Sequence, residues 1–428
     1  MIIQPAKRLA GEITLPGDKS ISHRAAIFAA LAEGTTRIEN FSTADDCAAT
    51  LDCLEKLGVR IERNKTEIII YGVGKNGFRA PQDALDCRNS GTTMRLLSGV
   101  LAGQNFTSVL TGDESLQKRP MRRVMKPLES MGAKIESNDG RAPLTIHGKN
   151  PLQAISFEPP VASAQIKSCV LLAGLNADGE TRVLEKTPTR DHTERMFQWL
   201  GAKIENKNGE TTVSGDARLR AREINVPSDV SSAAFFLVAA ACLQDSDLVL
   251  RNVGLNPSRA AVVEVLRNFG ANIEVLNRDE TANEPRGDLR IFGGGLSALS
   301  RENLLGGEVI ANLIDELPIL AVFGSQLENG LEIRDASELR VKESDRISAV
   351  VENLRRMNAQ VEEFEDGLRI EKSNLKGARI DSFGDHRIAM SFAVAGLIAE
   401  DKTEIENAEA VAVSFPDFFD LLESVAER

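Results

Sequence analysis

The chain has 428 residues, 42% hydrophobic and 27% charged, which is enough for two or three globular domains with large cores. A net charge of −12 excludes nucleic acid as the main partner, since neutralising phosphates needs a basic surface. Any anion site must therefore be a local gathering of Lys and Arg in an acidic protein.

In chain order, the N-terminal stretch "MIIQPAKRLAGEITLPGDK" lacks the apolar core of a signal peptide. Its strand, up to about Leu15, precedes everything and is expected to pair with the last elements of the chain. Six copies of one unit follow. Each has an apolar helix-like run, a turn and an alternating strand: "AAIFAALAEGTTRIEN", "LLSGVLAGQNFTSVLTG", "CVLLAGLNADGETRVLEK", "FFLVAAACLQDSDLVLRN", "LPILAVFGSQLENGLEIRD" and "SFAVAGLIAEDKTEIEN". Their central strand residues Ile38, Val109, Val183, Leu250, Ile333 and Ile405 are spaced 71, 74, 67, 83 and 72 apart.

A second amphipathic helix and a hairpin complete each copy, as in "LEKLGVRIERNKTEIIIYG", and the sixth stops at "LLESVAER". Gly58, Gly132, Gly201 and Gly270 stand where a left-handed residue ends that helix, and Asn358 takes the fifth place. With its leading strand each unit reads βαβαββ. Polar turn residues in "INVPSD" (224–229) separate units three and four. The loop "NRDETANEPRGD" lengthens the fourth interval, and "FGGGL" (Phe292–Leu296) is a loop-like run. The longest apolar run, Ala233–Leu243, is too short to cross a bilayer. Cys47, Cys53, Cys87, Cys169 and Cys242 form no CxxC pair, which fits a reducing compartment, so a cytoplasmic location is expected.

The helix starts carry the chemistry. Ser42, Thr43, Ser228 and Ser231 are explained as N-caps. Cations there oppose the helix dipole, at about 0.3–1 kcal/mol each. Yet Lys19, Arg24, Lys118, Arg119, Arg122, Arg190, Lys342, Arg346 and Arg387 all fall in or beside such starts. One alone reads as a solvated side chain; the set reads as joint binding of an anion with more than one charged group. Of the acids in these places, Asp315 lies among apolar neighbours in "NLIDELPIL", and Glu343 lies between Lys342 and Arg346. A base and an acid beside anion-binding cations is the inventory of a proton-shuffling transferase. There is no HExxH and no P-loop, and His23, His192 and His386 read as orienting or capping residues.

Seven ordered motifs, "LPGDKSISHR", "NSGTTMRLL", "KRPM", "SAQIKS", "TRDHTE", "ELRVKESDR" and "DHRIAMSF", together with the closing "SFPDFF", resemble the EPSP synthase (3-phosphoshikimate 1-carboxyvinyltransferase) family of enolpyruvyl transferases along the whole chain. The resemblance implies an α/β fold: a two-domain inside-out α/β barrel of six βαβαββ repeats, three per domain, with helix N-termini facing the interdomain cleft. It implies domains at 16–227 and at 1–15 with 228–428, the chain crossing twice. The implied reaction joins phosphoenolpyruvate to shikimate 3-phosphate and releases phosphate, in aromatic amino-acid biosynthesis. No cofactor or metal is implied, no nucleic-acid or membrane partner, and a monomer is expected.

Carried over by motif, Lys19, Ser20, Arg24, Ser163, Ala164, Gln165, Arg190, Asp315 and Lys342 would hold shikimate 3-phosphate. Lys19, Gly91, Arg119, Gln165, Arg346 and Arg387 would hold phosphoenolpyruvate, with Asp385 and His386 orienting Arg387. The expected catalytic groups are Asp315 as base, Glu343 as proton donor and Lys19 as electrostatic partner, the last two roles being exchangeable. One departure is that many members carry a Lys before the FPD run, where Val413 and Ser414 stand here. Gly91 stands where glyphosate-tolerant members often have Ala. The related transferase acting on UDP-N-acetylglucosamine usually carries a reactive Cys in the loop matching "GDESLQKRPM", which has none here. A non-catalytic six-repeat scaffold would give no reason for cations at helix starts.

Overall fold

The computed structural model describes residues 1–294, 296 and 303–428; Gly295 of the glycine run lies outside the described residues. The chain divides into two compact units. The first comprises 17–226 with 280–284, and the second 1–16, 227–279 and 285–428. Each unit has its own apolar core.

The repeats fold as their periodicity implies. In repeat one, helix Lys19–Leu31 leads to strand Glu33–Glu39, helix Asp45–Lys56 and the hairpin Arg60–Asn64/Glu67–Val73. The sheet order is one scheme repeated. A short leading strand runs parallel to the central strand, which pairs antiparallel with the second hairpin strand, and the first hairpin strand lies outermost. It is seen for Ile224–Asn225, Leu85–Asp86, Ser156–Phe157 and Leu304–Leu305 as leading strands. In the second unit Arg8–Thr14 leads repeat four, running parallel to Asp247–Gly254, and its other edge takes Ala426–Glu427. Ile2–Ile3 pairs with Thr403–Glu406 of repeat six. The N-terminal strands thus pair with later elements, as expected.

The opening helices are buried around most of their circumference rather than half-exposed, even where polar residues such as His23, Arg24 and Lys167 fall in them. Val230–Cys242 and His386–Ile398 each bury 12 of 13 residues. In the second unit these two and Leu317–Gly324 pack on one another. In the first unit Gly91–Ala102 packs on Ala164–Gly174 so closely that a Cβ at Gly99 would stand 2.2 Å from the Cys169 carbonyl oxygen. The second helices are amphipathic. The residues that end five of them, Gly58, Gly132, Gly201, Gly270 and Asn358, all have positive φ, between 66° and 102°.

Proline breaks two helices. Pro120 separates Glu114–Lys118 from Arg122–Ser130. In repeat five Val309–Leu313 ends before Leu317–Gly324, whose first turn holds Pro318, and residues 314–316 form the step between them. Asp315 and Glu316 sit on that step. No described helix is long and apolar enough to cross a membrane.

Candidate active site

In the first unit the polar residues gather at the starts of the opening helices. Asp18 caps Lys19–Leu31 by accepting from the Ile21 amide at 2.8 Å. Lys19 Nζ lies 2.8 Å from Asp46 Oδ2, where the second helix of the same repeat begins. Arg24 is 2% exposed, yet its bonds go to uncharged oxygens. Nε donates to Thr193 Oγ1 and Nη2 to Ser168 Oγ, both at 2.8 Å, and Nη1 to the Ser20 carbonyl at 2.9 Å. Burial pulls this guanidinium down to about 10, with Glu194 opposing and Arg190 adding to the fall. Arg24 is therefore a buried cation short of negative charge.

Ser90 caps the next opening helix, Gly91–Ala102. A Cβ on Gly91 would stand 2.9 Å from Arg95 Nη1 and 3.4 Å from Arg119 Nη1, so the bare backbone leaves room between two guanidinium ends. Arg119 Nη2 donates to Asn89 Oδ1 at 2.6 Å. Ser163 caps helix Ala164–Gly174, placing Ala164 and Gln165 in its first turn. Gln165 accepts from Arg95 Nη1 at 2.6 Å and donates to Thr92 Oγ1 at 2.9 Å. Arg190 lies half-buried just before helix His192–Trp199.

Behind these starts runs a buried chain of polar contacts. His23 Nδ1 meets Thr50 Oγ1 at 2.7 Å, Thr50 meets Thr93 Oγ1 at 2.6 Å, and Thr93 donates to Ser90 Oγ at 2.8 Å. Burial first, then Lys19 and Arg24, push His23 well below the ordinary imidazole range, so it is neutral.

The second unit is ionic. Arg346 is 1% exposed and opens helix Arg346–Arg356. Its Nε donates to Asp385 Oδ2 at 2.8 Å and its Nη2 to Glu343 Oε2 at 2.7 Å, while Nη1 lies 3.7 Å from Asp315 Oδ1. Lys342 Nζ lies 3.6 Å from the same Asp315 oxygen. Burial works against the Arg346 charge, but Asp385, Glu343 and Asp315 together hold it above the ordinary arginine range. Burial likewise works to raise Asp385, and Arg346 outweighs it and holds the carboxyl below its usual range. Arg387 Nη1 donates to the Asp315 carbonyl at 2.8 Å and lies 3.6 Å from Glu316 Oε1.

Three expectations change. Asp315 is not in an apolar setting: its neighbours in sequence turn into the core, while its carboxylate sits at the helix break facing Lys342 and Arg346. Asp385 does not pair with the Arg387 side chain. It accepts from the Arg387 backbone amide at 2.8 Å as an N-cap, and its carboxylate serves Arg346. Lys118 and Arg122 do not join the buried sets. They lie on the surface, paired with Glu114 and Asp139.

Sequence reasoning missed Arg95, which sits inside the quoted "NSGTTMR" motif one helical turn after Gly91. It also missed Arg259, the partner of Glu316. Arg259 Nη1 lies 3.0 Å from Glu316 Oε1 and 3.2 Å from Oε2. "NPSRAA" and "DELP" hold a cation and an acid at helix starts, but nothing in either segment pairs them.

A family model described as EPSP synthase (3-phosphoshikimate 1-carboxyvinyltransferase) matches residues 3–422. The curated 3-phosphoshikimate 1-carboxyvinyltransferase of Koribacter versatilis (strain Ellin345) is 51% identical over 428 residues, covering 100% of this chain and 99% of that one. That of Bacillus subtilis (strain 168) is 47% identical over 427 residues, covering 98% of each. A solved EPSP synthase from Acinetobacter baumannii is 43% identical and superposes with a TM-score of 0.88 over 99% of this chain and 97% of that one.

Proposed function

Because the chain belongs to the EPSP synthase family, we infer that its two polar constellations serve one reaction. The chain is a 3-phosphoshikimate 1-carboxyvinyltransferase. It transfers the enolpyruvyl group of phosphoenolpyruvate to the 5-hydroxyl of shikimate 3-phosphate and releases phosphate, within aromatic amino-acid biosynthesis.

The observation that carries the residue assignment is Arg346, one buried guanidinium touching both Asp315 and Glu343. It holds two carboxylates near one another, one placed to serve as base and the other as reversible proton carrier. Asp315 takes the proton of the 5-hydroxyl as its oxygen bonds to C2 of phosphoenolpyruvate. Glu343, protonated at that stage, gives a proton to C3, completing a tetrahedral adduct. The adduct then returns a methyl proton to Glu343, reforms the C2–C3 double bond and expels phosphate, which departs with the proton held by Asp315. Lys19 offsets charge on the reacting phosphoryl group.

Shikimate 3-phosphate falls to Lys19, Ser20, Arg24, Ser163, Ala164, Gln165 and Arg190, with Asp315 and Lys342 on the ring hydroxyls. The charge deficit at Arg24 supports placing the phosphate there. Phosphoenolpyruvate falls to Lys19, Gly91, Arg119, Gln165, Arg346 and Arg387, supported by the space beside Gly91 between Arg95 and Arg119. The domain limits proposed are 16–227, and 1–15 with 228–428. The chain is a cytoplasmic monomer in this reading, consistent with five unpaired cysteines. Size-exclusion chromatography with light scattering would reveal a dimer if it is not.

The deciding assay is phosphate release from phosphoenolpyruvate with shikimate 3-phosphate, then with UDP-N-acetylglucosamine. Release is expected with the first only. Asp315→Ala should lower turnover by about 100-fold or more, the worth of a positioned acid–base group. Wild-type turnover in that variant would remove Asp315 from the chemistry.

A further inference from the structure

We infer that Glu316 is a positioning residue, which sets the Arg387 guanidinium and, through the shared backbone step, Asp315. The inference rests on the reading above in which Arg387 meets phosphoenolpyruvate.

Four helix starts of the second unit converge on the Glu316 carboxylate, which is fully buried. Ser231, from the first turn of Val230–Cys242, donates its hydroxyl to Oε1. Arg259, just before helix Ala261–Asn268, reaches both oxygens. Glu316 itself is the N-cap position of Leu317–Gly324. Arg387, in the first turn of His386–Ile398, lies 3.6 Å away. Converging N-termini bring positive dipole ends together, and a carboxylate at their meeting point offsets them.

The plain alternative is that Glu316 is only the counter-ion of Arg259. The charges argue for more. Arg259 has a second acid, Asp229, whose Oδ1 lies 3.8 Å from its Nη2. Glu316 Oε1 lies 3.0 Å from Arg259 and 3.6 Å from Arg387, so one carboxylate stands against two guanidiniums. Neutralising Glu316 removes a negative charge shared by both in a setting of low effective dielectric, where it weighs several-fold more than in water. Arg259 keeps Asp229 at 3.8 Å, so the loss falls on Arg387. Its side chain is held by Nη1 on the Asp315 carbonyl, so Nε and Nη2 stay available to an anion while the carbonyl and Glu316 fix the plane. The step at 314–316 therefore sets both the base and the ligand-side cation.

The test is steady-state kinetics of Glu316→Gln beside Arg387→Lys, with thermal melts of both. Glu316→Gln should raise KM for phosphoenolpyruvate about tenfold and leave KM for shikimate 3-phosphate within about twofold, since one substrate contact is misplaced. Arg387→Lys should show the same split, and Glu316→Gln added to it should have little further effect. Should Arg387→Lys raise KM for phosphoenolpyruvate while Glu316→Gln does not, the Glu316 role is wrong and the Arg387 reading stands. If Arg387→Lys leaves that KM unchanged, both fall. Equal rises in the two KM values would make Glu316 merely structural and overturn the inference. Where Glu316→Gln does not fold, Glu316→Asp withdraws the same charge by one methylene. It should give the same split at smaller size, and no split in it would equally overturn the role.

Discussion

Arg24 and Arg346 are both buried arginines in the N-terminal half of a helix, one in each unit, 2% and 1% exposed; Arg24 lies in the second turn and Arg346 is the first residue. Arg24 is surrounded by two hydroxyls and a carbonyl, and its charge is poorly matched. Arg346 is surrounded by three carboxylates, and its charge is more than matched. Identical side chains on the same repeat architecture thus face opposite ways electrostatically. The first unit holds a cation that gains by meeting an anion from outside. The second holds three acids around a single cation, which keeps the Asp385 carboxyl below its usual range. Binding and proton transfer make just these separate demands.

The contrast has consequences of decreasing size. Arg346→Met leaves Asp385 buried without its partner, so the second unit should lose about 3–5 kcal/mol of stability, read as a fall in its denaturation midpoint. Arg24→Met should lose clearly less, because Ser168 and Thr193 already bond each other at 2.6 Å and stay satisfied. Equal losses would mean that the two settings do not differ as described.

Arg24→Gln should instead act on binding. KM for shikimate 3-phosphate should rise by about tenfold or more, the size of one charge-assisted contact to phosphate, while KM for phosphoenolpyruvate changes little. Stabilisation of the protein by shikimate 3-phosphate in a thermal melt should shrink in step. A variant that keeps its affinity would place the phosphate elsewhere.

The smallest effect concerns His23, whose folded-state pKa is depressed. The unfolded imidazole takes up a proton near pH 6.5 and the folded one does not, so stability is full above that pH and falls below it. Between about pH 7.5 and about pH 5.5 the loss through this residue is on the order of 1 kcal/mol. His23→Gln should flatten the pH dependence of stability by that amount relative to wild type. An unchanged slope would mean that His23 titrates normally.

The repeat was readable because its signals are local. Apolar runs near a 70-residue period and Gly58 to Gly270 after amphipathic helices act within a few residues of themselves. For the same reason cations at helix starts stood out against the dipole rule. The caps expected at Ser42, Thr43, Ser228 and Ser231 are not there: Asp229 caps Val230–Cys242, Ala44 precedes Asp45–Lys56 without a side-chain cap, and the Ser228 and Ser231 hydroxyls bond the Leu15 carbonyl and Glu316 instead. The motifs also gave the family, since they occur in order along the chain.

Partner choice was not readable. Arg346 meets Asp385 across 39 residues, Arg259 meets Glu316 across 57, Arg95 meets Gln165 across 70 and Arg24 meets Thr193 across 169. Sequence alone made Asp315 an acid in apolar company and Lys118 a ligand-side cation; packing made the first charged company and the second a surface ion pair. Chain-local forces suffice to form a helix and to mark its ends. Which charges then compensate one another depends on how separate helices are brought together by burying their apolar sides, and that is a property of the assembled core.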